Sequence, residues 1–243
     1  MRVDSKIRQC LYLNWALPTE SLPPPPAPLR YEIHEADGRS FVFVSALLFR
    51  QHRAHLRALP FVRISFPQLN LRAYVLDGES VPSVYFLRMF VPSWARLPVQ
   101  LVARQPVSRA RFSYPEQSSK GPWEWKIHQQ GSLHCRAEPS SPMATKLPDL
   151  GAWETTVNCF RQRNRGYVLI GEELRRIQTE QPPVEVVPVR AELFATDLLL
   201  HAVAATDDWP SLHSAFLCPE ISLRVELSTE SRPTLTRRAP APG

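Results

Sequence analysis

Residues 66–89 read FPQLNLRAYVLDGESVPSVYFLRM and contain the strongest structural signal in the chain. Apolar and polar residues alternate over 69–76, and a second β-rich run covers 81–89. Asp77-Gly78 lies between the two runs, a position where this dipeptide is typical of a β-hairpin. The stretch therefore predicts two antiparallel strands joined by a turn.

The same pattern occurs at other places along the chain. Asp37-Gly38 lies between two alternating runs, and weaker turn signals centre on Gly131 and on Asn164-Arg165-Gly166. Several turn signals between short β-rich runs are typical of an antiparallel protein. We therefore expect a mainly β (α+β) fold in one domain over residues 8–227.

Helices are expected to be few and short. Pro98 should begin or break the first of them, because proline lacks the backbone N–H that a helix interior needs. Glu154 is interpreted as a first-turn charge of the second, where a carboxylate favours the helix dipole. Residues 228–243 are rich in Ser, Thr, Pro and Arg, which predicts a disordered tail. The three helical candidates are 94–104, 151–158 and 196–205.

Most of the positively charged residues are arginines, and they are spread along the whole chain. The 243-residue chain has 29 Lys and Arg against 23 Asp and Glu, a net charge of +6. Only Lys6, Lys120, Lys126 and Lys146 are lysines. Nucleic-acid binders usually concentrate positive charge in one patch, whereas these arginines run the length of the chain. A solvated surface of mixed sign is therefore favoured over nucleic-acid binding.

Several classes of protein are excluded by what the sequence lacks. No apolar run approaches the length that spans a membrane, and no hydrophobic stretch resembles a secretory signal. The four cysteines form no close pair, which argues against a zinc site and favours free thiols in a reducing compartment. We therefore expect a cytoplasmic protein with no membrane association, no metal and no cofactor.

The strand predicted at 68–75 carries a row of polar side chains. Alternation places Asn70, Arg72 and Tyr74 on one face, opposite an entirely apolar face. Arginine offers a planar fork of donors that suits a carboxylate or phosphate, and the amide and phenol can orient a carbonyl or hydroxyl. The row therefore has two interpretations. In the first, it forms one wall of a ligand-binding cavity. In the second, Arg72 pairs with an acid on a neighbouring strand, and Tyr74 only contributes to packing.

The segments FPQLNLRAYV (66–75) and SVYFL (83–87) resemble the YqjF-like family of uncharacterised bacterial proteins, within the acetoacetate decarboxylase-like superfamily. Weaker collinear similarities lie at Asn14-Trp15, at 106–111 and at 160–166. The resemblance implies one domain of curved antiparallel sheets, closed like a cone or clam around a central cavity, with short peripheral helices. It also implies that the strand at 68–75 bounds that cavity.

The resemblance also implies Schiff-base chemistry, but this chain lacks the lysines that such chemistry needs. Acetoacetate decarboxylases use a lysine that forms a Schiff base with the substrate, and their lysine pair lies in a G-x-P-K-K segment. The counterpart here, residues 105–108, reads QPVS and has no lysine, and Gln68 replaces the glutamate usual before Leu-Asn. We therefore do not expect an acetoacetate decarboxylase.

These observations favour a cavity that binds a small polar or anionic organic ligand. One alternative is an enzyme that acts on a keto acid without a Schiff base, and another is a basic protein associated with nucleic acid. Arg109 and Arg111 are expected to share a face of one strand, and the resemblance adds His213. Candidate ligand-binding residues are Asn70, Arg72, Tyr74, Tyr85, Arg109, Arg111 and His213.

Two further patterns have simpler explanations than a site. His52 and His55 have half of a metal-binding spacing, but they lie among arginines and lack the glutamate of the full motif, which favours loop histidines. Trp123 and Trp125 would share one strand face, which favours core packing over a stacking site for a planar ligand.

Overall fold

The computed structural model describes residues 2–103, 106–115, 121–142, 148–203 and 209–227 of the chain. The tail predicted at 228–243 lies outside these residues. The helices are α1 (Ser93–Ala103), α2 (Trp153–Arg161) and α3 (Asp197–Val203), with a 3-10 turn at Thr19–Ser21. The strands are β1 (Arg2–Pro18), β2 (Arg30–Tyr31), β3 (Ile33–Ala36), β4 (Arg39–Leu56), β5 (Ile64–Leu76), β6 (Pro82–Val91), β7 (Ser108–Arg109), β8 (Arg111–Ser113), β9 (Trp123–His128), β10 (Ser132–Pro139), β11 (Arg165–Ile170), β12 (Glu173–Glu180), β13 (Val187–Ala195) and β14 (Ser214–Leu227).

Seven strands form a closed ring in the order β1-β4-β5-β6-β11-β12-β14. β1 and β14 close the ring through antiparallel pairing that runs from Arg2 opposite Glu226 to Asn14 opposite Ser214. Every neighbouring pair in the ring is antiparallel except β6 and β11, which are parallel. The expected mainly β domain of curved sheet, closed like a cone, is confirmed.

A second layer of strands covers part of the outside of the ring. β13 pairs with β14 and continues the sheet into β10, β9 and β8. Because side chains alternate across a strand, β5 turns Leu69, Leu71 and Ala73 outward into the main apolar cluster, where the second layer meets them. The opposite side chains of β5 face the inside of the ring.

The tryptophans of β9 belong to this main cluster. Trp123 and Trp125 point the same way and are 3% and 0% exposed, and they pack in one cluster with Leu71 and Leu133. Core packing is therefore confirmed for both, and neither offers a face to a planar ligand.

The two Asp-Gly turns have the predicted positions. Asp37 and Gly38 both have positive φ, at 50° and 69°, and they connect β3 directly to β4, as a two-residue hairpin turn requires. The turn after β5 is longer. Its Asp77 Oδ1 accepts the backbone N–H of Glu79 and of Val81, each at 2.9 Å.

The turn expected at Asn164-Arg165-Gly166 was wrong. β11 already begins at Arg165, and the hairpin to β12 instead turns at Gly171, whose φ is 62°. Gly166 lies inside β11 beside Val84 of the parallel strand. A Cβ on Gly166 would lie 2.8 Å from Cε2 of Phe86, so this glycine allows close approach of a ring rather than a turn.

We expect Gly166→Ala to destabilise the protein by about 1–3 kcal/mol, the usual cost of overpacking a core. The added methyl group must push the Phe86 ring toward the interior of the ring of strands. Urea unfolding measures the loss, and Phe86→Leu in the same chain should recover part of it. Equal losses in the single and double variants would contradict this close contact.

The helices lie near their predicted positions, with one correction. Pro98 neither begins nor breaks α1 but lies inside it. Ala95 and Val99 pack in an apolar cluster with Phe66 and Met89 of the sheet. This packing stabilises α1 although Pro98 has no backbone N–H to donate within the helix. Glu154 lies in the first turn of α2, as predicted. None of the helices in the described part of the chain is long and apolar enough to cross a membrane.

Candidate functional site

The closed ring surrounds a cavity of about 300 Å³. Inward-facing side chains of β1, β4, β5, β6, β12 and β14 line it, and most of them are apolar. Leu59 and Val62, in the connection between β4 and β5, also line it although they are 42% and 53% exposed. The cavity therefore opens at this connection and ends among buried side chains at the other end of β5.

The inward face of β5 is the polar row that alternation predicted. Gln68, Asn70 and Arg72 line the cavity one after another. Tyr74 continues the same face but is fully buried behind them and hydrogen-bonded to Arg72 at 3.0 Å. The predicted shared face of Asn70, Arg72 and Tyr74 is confirmed, and the first two reach the cavity.

Arg72 lies at the closed end of the cavity and is 7% exposed. Its Nη2 donates to the carbonyl oxygen of Phe160 at 2.7 Å and to the hydroxyl of Tyr74. The guanidinium stacks on the rings of Tyr12 and Tyr74, at 5.3 and 5.4 Å. Nε is buried without a partner, and within the described ranges neither Nε nor Nη1 has an acceptor. Three of the five N–H donors are thus unpaired.

Arg72 could have paired with an acid on a neighbouring strand, but the described residues provide no such acid. Among the residues that the structure describes, no carboxylate forms an ion pair with this guanidinium, and no Asp or Glu lines the cavity. A buried charge is costly unless it is paired. Arg72 therefore holds an uncompensated positive charge at the closed end of a mostly apolar cavity.

The groups around Arg72 are neutral. Burial alone would lower the pKa of Arg72, but the adjacent Tyr74 and Tyr12 outweigh it and raise that pKa, so the cation persists. Burial raises the pKa of Tyr12, of Tyr74 and of the Cys10 thiol, which keeps all three protonated at neutral pH. Among the described residues, the closed end of the cavity thus carries one uncompensated charge, and it is positive.

A chain of polar side chains holds Tyr74 in place behind Arg72. The hydroxyls of Tyr74 and Ser45 lie 2.8 Å apart, and Ser45 donates to Oδ1 of Asn14 at 2.6 Å. Asn14 in turn donates to the hydroxyl of Ser214 at 3.1 Å. Because Ser45 and Asn14 are fully buried, these bonds fix the phenol that orients Arg72.

A strip of amides runs from Arg72 toward the opening. Gln68 Nε2 donates to Asn70 Oδ1 at 2.7 Å, Gln51 Nε2 reaches Gln68 Oε1 at 3.4 Å, and Gln51 also contacts Ser5. These amides therefore satisfy much of one another's hydrogen bonding. Asn70 is left with an NH₂ group that donates to no described residue, so it can contact a ligand beside Arg72.

Arg163 is a second cavity arginine that sequence reasoning missed. It lines the cavity and lies over the Tyr74 ring at 5.3 Å, but its charge is compensated by Glu32 at 2.9 Å. Its Nε donates to the carbonyl oxygen of Cys159 at 2.8 Å. Arg163 follows α2 rather than lying on a strand, so no alternation singled it out from Arg161 and Arg165.

The other candidate residues do not line the cavity. Arg109 and Arg111 are exposed, and they lie on two separate short strands, β7 and β8, rather than on one strand as expected, because the chain leaves β6 at Ala110 to pair with β9. Tyr85 is half-buried on β6. His213 is buried with Nε2 at 2.9 Å from the carbonyl oxygen of Pro148.

The other histidines in the described part of the chain take part in no metal-binding cluster. His52 and His55 lie on β4, not in a loop, because this strand continues to Leu56. His55 lines the cavity, and its ring contacts the carbonyl oxygen of Arg53 at 2.9 Å. The described residues contain no group of three or more His, Cys, Asp and Glu that could hold a metal ion.

The two lysines in the described part of the chain are engaged elsewhere. Lys6 pairs with Glu220 and Lys126 with Glu124, both at 2.9 Å, and neither lysine lines the cavity. Lys120, Lys146 and Gln105 lie outside the described residues.

Solved structures with this fold include proteins of very different sequence. The enduracididine biosynthesis enzyme MppR, complexed with the condensation product of pyruvate and imidazole 4-carboxaldehyde, has a TM-score of 0.61 at 12% identity over 93% of this chain and 89% of that one. An acetoacetate decarboxylase-like enzyme from Sphingomonas wittichii RW1 has a TM-score of 0.52 at 11% identity, over 92% and 90%. At these identities the similarity establishes the fold.

The sequence comparison identifies the family. No curated protein matches the chain. The DUF2071 family, described as an uncharacterized conserved protein, matches residues 4–222. The resemblance to a family of uncharacterised proteins is thus confirmed, its fold is similar to that of an acetoacetate decarboxylase-like enzyme, and the chain belongs to the DUF2071 family.

Proposed function

We propose that the protein binds a small organic anion in the cavity, with Arg72 as the anchor of its negative charge. The observation that carries this proposal is a buried guanidinium with three unpaired donors and no acid beside it in the described ranges. Carboxylates accept such donors in short, charge-assisted hydrogen bonds. A bound anion would both use these donors and compensate the buried charge.

A carboxylate with an additional oxygen is the first ligand class to test. Asn70 lines the cavity next to Arg72, and its NH₂ group can donate to a second oxygen on the same ligand. MppR has been determined in complex with pyruvate, an oxo acid. This supports oxo acids as probes for the present cavity.

Binding is favoured over catalysis. No lysine is present among the described lining residues, so nothing there can form a Schiff base, and no carboxylate among them can act as a general base. His55 is the one described histidine that lines the cavity, but it lies near the opening, far from Arg72 along the sheet, with its Nδ1 at 2.9 Å from the carbonyl oxygen of Arg53. The thiol of Cys10 stays protonated because burial raises its pKa. The protein therefore acts as a binding protein, with no cofactor needed for that role.

The surface charges support a small ligand rather than nucleic acid. Arginines on the outside of the ring pair with neighbouring acids, for example Arg2 with Glu226 at 2.6 Å and Arg224 with Glu180 at 3.1 Å. Such mixed charge differs from the single positive patch of a nucleic-acid binder.

All four cysteines are free, which suits a reducing cytoplasm.

A thermal-shift survey tests the proposal. Pyruvate, 2-oxobutanoate and butanoate should raise the unfolding midpoint, because a ligand that binds only the native state stabilises it. Butanamide, which has the shape of butanoate without its charge, should leave the midpoint unchanged. Equal shifts with the acid and the amide, or no shift with any acid, would contradict an anion site.

A further inference from the structure

We propose that the natural ligand is an amphipathic monocarboxylate, with its carboxylate on Arg72 and a hydrocarbon chain that extends toward the opening between β4 and β5. This inference rests on the proposed function, because it specifies the rest of the ligand that Arg72 anchors. It depends on separate observations, namely the apolar walls, the position of the opening and the size of the cavity.

The walls between Arg72 and the opening are largely apolar. β4 contributes Leu47 and Phe49, and β14, on the other side of β1, contributes Ile221 and Leu223. Burying a methylene group against such walls gains about 0.8 kcal/mol. A ligand consisting only of polar groups would leave these walls unused.

The charge and the opening lie at opposite ends of the same strand. Arg72 is near one end of the inward face of β5 and Ile64 is at the other, and both line the cavity. Eight residues of strand span up to roughly 27 Å. Leu59 and Val62 lie beside the Ile64 end and are exposed there. An extended acid of eight carbons is shorter than this span, so its chain points toward the opening and ends near Phe49 and Gln68, which lie opposite each other on β4 and β5.

The polar strip on one wall does not require a polar ligand along its length. Gln68 is hydrogen-bonded to Asn70 and to Gln51. These amides therefore pair with one another, and the NH₂ group of Asn70 is left to donate to a ligand. That group lies next to Arg72. An oxygen substituent is therefore accommodated near the carboxylate, and a plain hydrocarbon chain fits beyond it.

The size of the cavity sets the length of the chain. At roughly 30 Å³ for each non-hydrogen atom, the volume that a water occupies in the liquid, about 300 Å³ holds about ten such atoms. A saturated acid of eight carbons has this size. Pyruvate fills little more than half of the space.

A chain-length series tests this inference with the full protein. We expect the affinity for saturated monocarboxylates, measured by isothermal titration calorimetry from acetate upward, to rise about fourfold with each added methylene. The rise should stop at about eight carbons, where the cavity is full. A primary alcohol of eight carbons should bind at least tenfold more weakly than the acid of that length.

A pair of variants locates the hydrocarbon chain. Phe49→Leu enlarges the cavity beside the end of an eight-carbon chain, so the affinity should go on rising beyond eight carbons while the affinity for propanoate is unaffected. Phe61→Leu is the matched control, because Phe61 is 77% exposed and does not line the cavity. It should leave both the affinity for propanoate and the best chain length unchanged.

The outcomes separate this inference from the proposed function. If short acids bind and affinity does not rise with length, the anion site stands and the amphipathic ligand is wrong. If Phe49→Leu leaves the best chain length unchanged, the direction of the chain is wrong. If no acid of any length binds, the proposed function fails as well.

Discussion

Arg72→Met is expected to weaken the binding of a monocarboxylate by about 10- to 150-fold. This range corresponds to the roughly 1.5–3 kcal/mol that hydrogen bonds to a charged group contribute. Methionine keeps much of the length of the side chain among the rings of Tyr12 and Tyr74, but it removes the charge and all five donors. Calorimetric titration of the variant and the wild type with the same acid measures the difference.

Two further variants make the Arg72 result specific. Arg109→Met is the matched control, because Arg109 is an exposed arginine away from the cavity, and it should leave the affinity unchanged. Arg72→Lys should restore only part of the affinity, because lysine keeps the charge but lacks the planar fork. An affinity that survives Arg72→Met would exclude Arg72 as the anchor.

Trp125→Ala is expected to lower the free energy of unfolding by about 3–5 kcal/mol, the usual cost of truncating a large buried aromatic side chain. Trp125 is 0% exposed and packs in the cluster between the ring of strands and the second layer. Urea unfolding with linear extrapolation measures the loss. If the alanine variant does not fold, Trp125→Phe gives a smaller loss in the same direction.

Trp94 supplies the comparison for this prediction. It is 59% exposed and touches Phe66 near the opening of the cavity, so Trp94→Ala should change the free energy of unfolding by about 0.5 kcal/mol or less. Equal losses from the two substitutions would contradict the assignment of Trp125 to the core.

The sequence predicted the parts of the structure that depend on local patterns. Alternation over 69–76 placed Asn70, Arg72 and Tyr74 on one face. The structure confirms this shared face, because the pairing of β5 with β4 has no bulge in this part of the strand. Asp37-Gly38 marked a real turn because both residues adopt a positive φ. Asp77-Gly78 marked a real turn because the Asp77 side chain accepts the backbone N–H groups of Glu79 and Val81. The fold class followed from such signals together with the family resemblance.

The parts that were missed depend on contacts between distant segments. The ring closes where β1 meets β14, about two hundred residues later in the chain, and no local pattern encodes that pairing. Gly166 was interpreted as a turn because its contact with Phe86 comes from the parallel pairing of β11 with β6. Arg163, which follows α2, reaches the cavity because Phe160 of that helix packs against Tyr74 of β5.

A crystal structure of the protein with a bound monocarboxylate shows directly whether Arg72 anchors an anion. We expect the carboxylate at the closed end of the cavity, with an oxygen about 2.7–2.9 Å from a nitrogen of the Arg72 guanidinium. Octanoate is the acid of choice, because it is expected to fill the cavity. A carboxylate bound only to surface arginines, with the cavity unoccupied, would contradict Arg72 as the anchor.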